Sequence, residues 1–355
     1  METSYLLSAL LLIVIVLFFD FINGFNDGAN IMVSPVINGA LEPWMAVLLF
    51  AVFVFIGAWF LGTAVAQTLG KGIVNPQHIN MSVIFAAVGG AIVWTLGGWY
   101  FGIPSSSSHA LIGGLLGAVA VDSGLKWIHW GKVGQVLAIL ILAPIVGLVA
   151  GRYFTQGILV LFSGFKPNRA NRLLRRLQIL TSISLAMSYG SNDAQKGMGM
   201  ISLGLLILYG NSPTMLGKIY QPLSQNAFYV PKWVILACSL ALALGASSGG
   251  WRIMKTLGSK LYRIRPVHGF SAQACASIII RLSSWFGFPV STTQIVSSSI
   301  LGAGSAQSLG SVRWKMGWQI FITWIITIPG AALISALLYA FISHGSKFFW
   351  TIPRS

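Results

Sequence analysis

Uncharged apolar runs recur along this chain at lengths that suit a membrane. Residues 44–66, 133–151 and 233–250 contain no Asp, Glu, Lys or Arg. A helix needs roughly 20 predominantly apolar residues to cross the hydrocarbon core, so each run predicts a spanning helix. The first run, 5–19, follows Glu2 without a basic residue, and no small-residue cleavage site comes after it. It therefore reads as a membrane helix and not as a signal peptide. Two further regions pair shorter apolar stretches across a polar break, 85–101 with 110–121 and 272–286 with 295–303. Each stretch is marginal for a full crossing, which predicts a re-entrant helical hairpin at both places. The pattern predicts an all-α, polytopic helical membrane protein.

Composition agrees. Of 355 residues, 55% are hydrophobic and 8% are charged, whereas a soluble domain carries about 25% charged residues. The formal net charge is +16, a balance that could suggest nucleic acid. The basic residues fall instead into two clusters, Arg152 with Lys166, Arg169, Arg172, Arg175 and Arg176, and Arg252 with Lys255, Lys260, Arg263 and Arg265. No aromatic-interleaved basic stripe accompanies them, so the reading is cytoplasmic loops and no nucleic-acid partner. Cys238 and Cys275 both lie in apolar runs and read as small core residues.

Comparing the chain with itself changes the picture most. Asn23-Gly24-Phe25-Asn26-Asp27 meets Tyr189-Gly190-Ser191-Asn192-Asp193, 166 positions later. At an offset of 188, Gly57-Ala58 and Thr68-Leu69-Gly70 meet Gly245-Ala246 and Thr256-Leu257-Gly258. At 185, Phe101-Gly102-Ile103-Pro104-Ser105-Ser106 meets Phe286-Gly287-Phe288-Pro289-Val290-Ser291, and Pro144 meets Pro329. The order is the same in both halves, so the chain reads as two repeats. The boundaries are a first repeat over 1–160, a basic cytoplasmic linker over 161–178, a second repeat over 179–345 and a tail over 346–355. The loop after Gly70 holds Lys71 before Pro76; the equivalent loop holds Lys260, Arg263 and Arg265 before Pro266. Equivalent loops of opposite charge character belong on opposite sides of a membrane, which marks an inverted-topology repeat. Both chain ends are then expected outside the cytoplasm, with the loop 71–77.

The chemistry lies where the repeats agree. Only six acids exist, and Asp27 and Asp193 occupy equivalent positions in apolar surroundings. A carboxylate at membrane depth costs about 2.5 kcal/mol or more, so it reads as functional. Each follows an Asn and has a Gly three positions upstream, a combination that predicts a helix broken there, with carbonyls and carboxylates suited to Na⁺ or a proton. Asp20 is a weaker candidate, because Ala186 stands at its counterpart. At the hairpin breaks, Ser105, Ser106, Ser107 and Ser108 precede His109, and Ser291, Thr292 and Thr293 precede Gln294. Gly and then Pro predict a tight break followed by a new helix, whose first N–H groups and hydroxyls form an anion site.

These residues resemble the signatures of the inorganic phosphate transporter (PiT) family over nearly the whole chain, in the compact form of a prokaryotic plasma-membrane member. The resemblance implies a homodimeric carrier in the lipid bilayer, a symporter of inorganic phosphate with Na⁺ or H⁺ and no other cofactor. By position, Asn26, Asp27, Asn192 and Asp193 would contact cation and phosphate, with Na⁺ at Asp27 and Asp193. Ser105 to Ser108 and Ser291 to Thr293 would hold phosphate oxygens. The family's second hairpin motif usually ends in His, where this chain has Gln294. Sulfate carriers of the family have degraded Asn-Asp motifs, and both acids remain here. A carboxylate accepts the O–H of phosphate, which sulfate lacks. A sulfate or other oxyanion permease is the alternative, and an anion channel a more distant one, since Ser and Thr at paired re-entrant loops also line pores. No Gly-x-Ser-x-Gly, His-Glu-x-x-His or Cys-His metal spacing suggests an enzyme. Lys196, three positions after Asp193, and Arg281, in a hairpin arm, read as structural pairs, and His268 as a boundary residue.

Overall fold

The structure is a computed structural model; it describes residues 2–102, 105–211, 216–217, 219–222, 228–248 and 265–349. The described chain is helical, with no β-strand beyond one isolated bridge between Val74 and Ile128. Its helices are α1 (Glu2–Ile37), α2 (Pro43–Phe60), a short α3 (Ala64–Gln67), α4 (Met81–Phe101), α5 (Ser107–Asp122) and α6 (Trp130–Leu161). They continue with α7 (Pro167–Asn211), α8 (Lys232–Ser248), α9 (Pro266–Trp285), α10 (Thr292–Gly304) and α11 (Trp314–Phe349). Five of them are long and apolar enough to cross a membrane: α1, α2, α4, α6 and α11. Large apolar side chains such as Leu10, Val14, Leu48, Ile141, Ile145, Ile325, Leu333 and Leu337 stand exposed along these helices. Water would not tolerate so much exposed apolar surface, whereas lipid does.

The two hairpins form as expected. The second arms have 16 residues in α5 and 13 in α10. At 1.5 Å per residue these are about 24 and 20 Å long, short of the roughly 30 Å hydrocarbon core. Nearly every side chain of both is buried, so protein encloses them. The first arms end at Gly102 (φ +66°) and Gly287 (φ +75°), at repeat-equivalent positions. That left-handed conformation stops a helix cheaply only at glycine. The chain then re-enters a helix whose N-cap is Ser106 in one hairpin and Ser291 in the other. Ile103 and Pro104 lie outside the described residues.

Sequence and structure differ at the Asn-Asp motifs. α1 and α7 run through them without a break. Gly24 and Gly190 serve close packing instead. A Cβ on Gly24 would lie 2.1 Å from the Leu242 carbonyl oxygen of α8, and one on Gly190 2.1 Å from that of Val54 in α2. The helices therefore keep their own carbonyls bonded, and oxygen ligands must come from side chains. From Pro167 onward the segment expected as a linker is the start of α7, which is 45 residues long. Arg252, Lys255, Lys260 and Arg263 of the second basic cluster lie outside the described residues.

Helices pack across the halves of the chain. α1 lies against α8 and α2 against α7, while α5 lies against α11 and α10 against α6. α1 and α7 also touch each other, which brings the two Asn-Asp motifs together at the centre.

Candidate functional site

Helical spacing places Asp20, Asn23 and Asp27 on one face of α1, because residues three, four and seven apart share a face. On α7 the same rule aligns Asp193 with Lys196. All of these side chains are at least 95% buried, as are Asn26, Asn192, Ser106 to Ser108 and Ser291 to Thr293. Ser105 stands half-buried at the edge.

Each Asn-Asp dipeptide reaches both hairpins. Asn192 Nδ2 donates to Ser284 Oγ at 2.9 Å and to the Phe288 carbonyl at 3.2 Å, both in the hairpin of its own half. Asn26 Nδ2 reaches the Thr95 carbonyl of α4 at 3.5 Å, again within its own half. The aspartates connect to the opposite hairpin, Asp27 directly and Asp193 through Lys196. Thr293 Oγ1 donates to Asp27 Oδ1 at 2.5 Å, with Thr292 Oγ1 at 3.5 Å from Oδ2. Asp193 Oδ1 is paired with the Lys196 ammonium and accepts from Asn23 Nδ2 at 3.3 Å. Lys196 Nζ donates onward to Ser107 Oγ at 2.9 Å, linking Asp193 to the first hairpin.

The hairpin tips meet. Ser108 Oγ donates to the Val290 carbonyl at 2.7 Å, and Gln294 Nε2 lies 3.4 Å from both ring nitrogens of His109. Ser106 and Ser291 act as N-caps, accepting from the backbone N–H of His109 at 3.2 Å and of Gln294 at 3.3 Å. Ser106 Oγ also lies 2.6 Å from His109 Nδ1. The caps satisfy one N–H in each new helix; those of residues 107, 108, 292 and 293 have no acceptor within the helix.

Several buried oxygens find no hydrogen-bond partner: Asn26 Oδ1, Asn192 Oδ1, Asn23 Oδ1, Asp193 Oδ2 and both oxygens of Asp20. Native interiors rarely leave such acceptors unpaired, and a concentration of them points to a bound cation. Two contributors were not evident in the sequence as site residues. Asn23 belongs to the first motif, but its counterpart is Tyr189. Lys196 was expected to be a structural pair; it is completely buried and joins Asp193 to Ser107. Its position three residues after Asp193 was the available signal. Arg281 is partly buried, with Nε 3.5 Å from Ser188 Oγ, and His268 accepts from the Arg265 N–H at 3.4 Å at the start of α9.

Fold and site define a polytopic helical membrane protein with a closed, charged core held between two re-entrant hairpins. The phosphate transporter family model matches residues 23–163 and 160–335. The chain belongs to the phosphate transporter family. A relative in Rhizobium meliloti (strain 1021), named "Probable low-affinity inorganic phosphate transporter", is 41% identical over 92% of this chain and 94% of its own length. One of the same name in Bacillus subtilis (strain 168) is 39% identical over 94% and 97%. A solved structure titled "The sodium-dependent phosphate transporter" superposes with a TM-score of 0.81, at 22% identity, over 95% of this chain and 99% of that one, and shares its fold. These relatives are transporters, not enzymes.

Proposed function

We propose that the chain is a symporter that carries inorganic phosphate into the cell together with monovalent cations, Na⁺ in preference to H⁺, by alternating access. One observation carries this reading: each Asn binds the hairpin of its own half, while Asp27 reaches the opposite hairpin directly and Asp193 reaches it through Lys196. A cation held by these dipeptides would tie together both hairpin tips, where the first-turn N–H groups of residues 107, 108, 292 and 293 and the adjacent hydroxyls suit an oxyanion. Phosphate brought into a buried site needs compensating positive charge, and among the described residues Lys196 is the only ammonium or guanidinium in the cluster. Cations at Asp27 and Asp193 supply the rest. Neutral amide oxygens beside the carboxylates, Asn26 Oδ1 and Asn192 Oδ1, favour a metal ion over a proton. The fold shared with a protein titled sodium-dependent supports the same choice. The two halves act as inverted repeats, so that equivalent helices exchange exposure between the two sides. The protein works in a prokaryotic plasma membrane as a homodimer.

The test is uptake of labelled phosphate into proteoliposomes with Na⁺ and pH gradients imposed separately. Accumulation should follow the Na⁺ gradient and resist competition by sulfate. Equilibration of phosphate without accumulation under either gradient would sink the symport reading.

A further inference from the structure

Asp20 lies outside the proposed pair of cation positions and has no counterpart in the other half of the chain, where Ala186 stands. It is completely buried. Its carboxylate rests against the α7 backbone at Gly197, where a Cβ would come within 2.0 Å of Oδ2 and 2.5 Å of Oδ1. Any larger residue at 197 would take the carboxylate's place. The ionisable groups facing it are Lys196 and Tyr189 on α7 and Cys238 on α8. The Cys238 thiol and the Gly197 N–H approach the carboxylate as donors, but neither Asp20 oxygen has a partner at full hydrogen-bond geometry. One turn further along the same face, Asn23 Oδ1 is also buried and unpartnered. The Lys196 ammonium is already engaged by Asp193 and Ser107.

We infer that Asp20 is a third cation position, taking one monovalent cation, H⁺ or Na⁺, in each transport cycle. The inference rests on the symport reading above. Charge supports it. Among the described residues the cluster holds three carboxylates, Asp20, Asp27 and Asp193, against one ammonium. Two cations at the symmetric motifs neutralise the protein alone and leave the phosphate charge uncompensated in a buried site. A third cation at Asp20 balances a monoanionic phosphate.

The experiment measures phosphate binding to the purified protein as a function of Na⁺ at fixed pH and of pH at fixed Na⁺. The slope of log affinity against log cation concentration counts the cations taken up with phosphate. In Asp20→Asn, the total slope should fall by about one cation relative to wild type. A fall in the Na⁺ series identifies Na⁺, and a fall in the pH series identifies H⁺. Asp20→Glu should keep the wild-type slope. Unchanged slopes in both series for a folded Asp20→Asn protein overturn the inference, as does an equal loss in Asp20→Glu. If Asp20→Asn binds no phosphate, the net charge moved per phosphate during gradient-driven uptake by Asp20→Glu decides: a wild-type value supports the inference, and a reduced one overturns it. Wild-type protein with no cation dependence would instead remove the symport reading itself.

Discussion

At the scale of single residues, the site depends on which oxygens are already bonded. Asp27 is held by hydroxyls, whereas Asp193 is held by an ammonium. Replacing either with Asn keeps the shape and removes the charge. Asp27→Asn and Asp193→Asn should therefore each abolish gradient-driven phosphate uptake while the protein still elutes as a single folded species. Wild-type uptake rates in both variants would refute the coupling role. Lys196→Met poses the reverse case. It leaves Asp193 as a buried carboxylate without its partner, a change that commonly costs about 3–5 kcal/mol. Its thermal midpoint in detergent should fall well below that of wild type, as should that of Asp193→Asn, which leaves the buried Lys196 ammonium without Asp193. Combining the two should recover much of the loss, and a double variant as unstable as the sum of the singles would count against the pair.

At the scale of helices, glycines set how closely elements approach. A Cβ on Gly57 would lie 2.1 Å from the Met187 carbonyl oxygen, and one on Gly245 1.9 Å from that of Phe21. These contacts are repeat-equivalent, joining α2 to α7 and α8 to α1. Backbone cannot yield as a side-chain tip can, so Gly57→Ala and Gly245→Ala should each lose about 1–3 kcal/mol of stability. A Cβ on Gly134 or Gly157 meets nothing within 4 Å. Alanine there should leave the thermal midpoint nearly unchanged, which makes these two positions the control. Equal effects at all four would mean that propensity, and not close packing, governs the glycines.

At the scale of the whole molecule, the proposal turns on topology. The basic residues Arg152, Lys166, Arg169, Arg172, Arg175 and Arg176 cluster around the junction of α6 and α7. Basic residues near short connections favour the cytoplasmic side. The loop at 71–77 carries only Lys71 and should lie opposite. A cysteine introduced at Asn168 should resist an impermeant thiol reagent applied to intact cells, and one at Gln77 should react. Labelling at Asn168 from outside would sink this topology.

The sequence by itself settled the solvent and the helical class, and it proposed the repeat. Apolar run length and the scarcity of charge leave no other medium, and matching motifs at fixed offsets need no coordinates to be seen. It also singled out Asn26, Asp27, Asn192, Asp193 and both Ser/Thr tips, because polar groups at membrane depth are too costly to be idle. The hairpins were legible from their polar breaks and from second arms too short to cross, although α4 alone is long enough to span. Only the tertiary structure decided how these parts meet. It kept α1 and α7 unbroken through their motifs, because Gly24 and Gly190 accommodate neighbouring backbone instead of loosening the helix. It set Asp27 against the hairpin of the opposite half and joined Asp193 to the other one through Lys196 and Ser107, 89 positions apart in sequence. It also packed Asp20 against Gly197, a contact that no periodicity along one strand of sequence can encode. Local pattern records which residues cannot face lipid; which of them face one another is fixed by helix packing across the two halves.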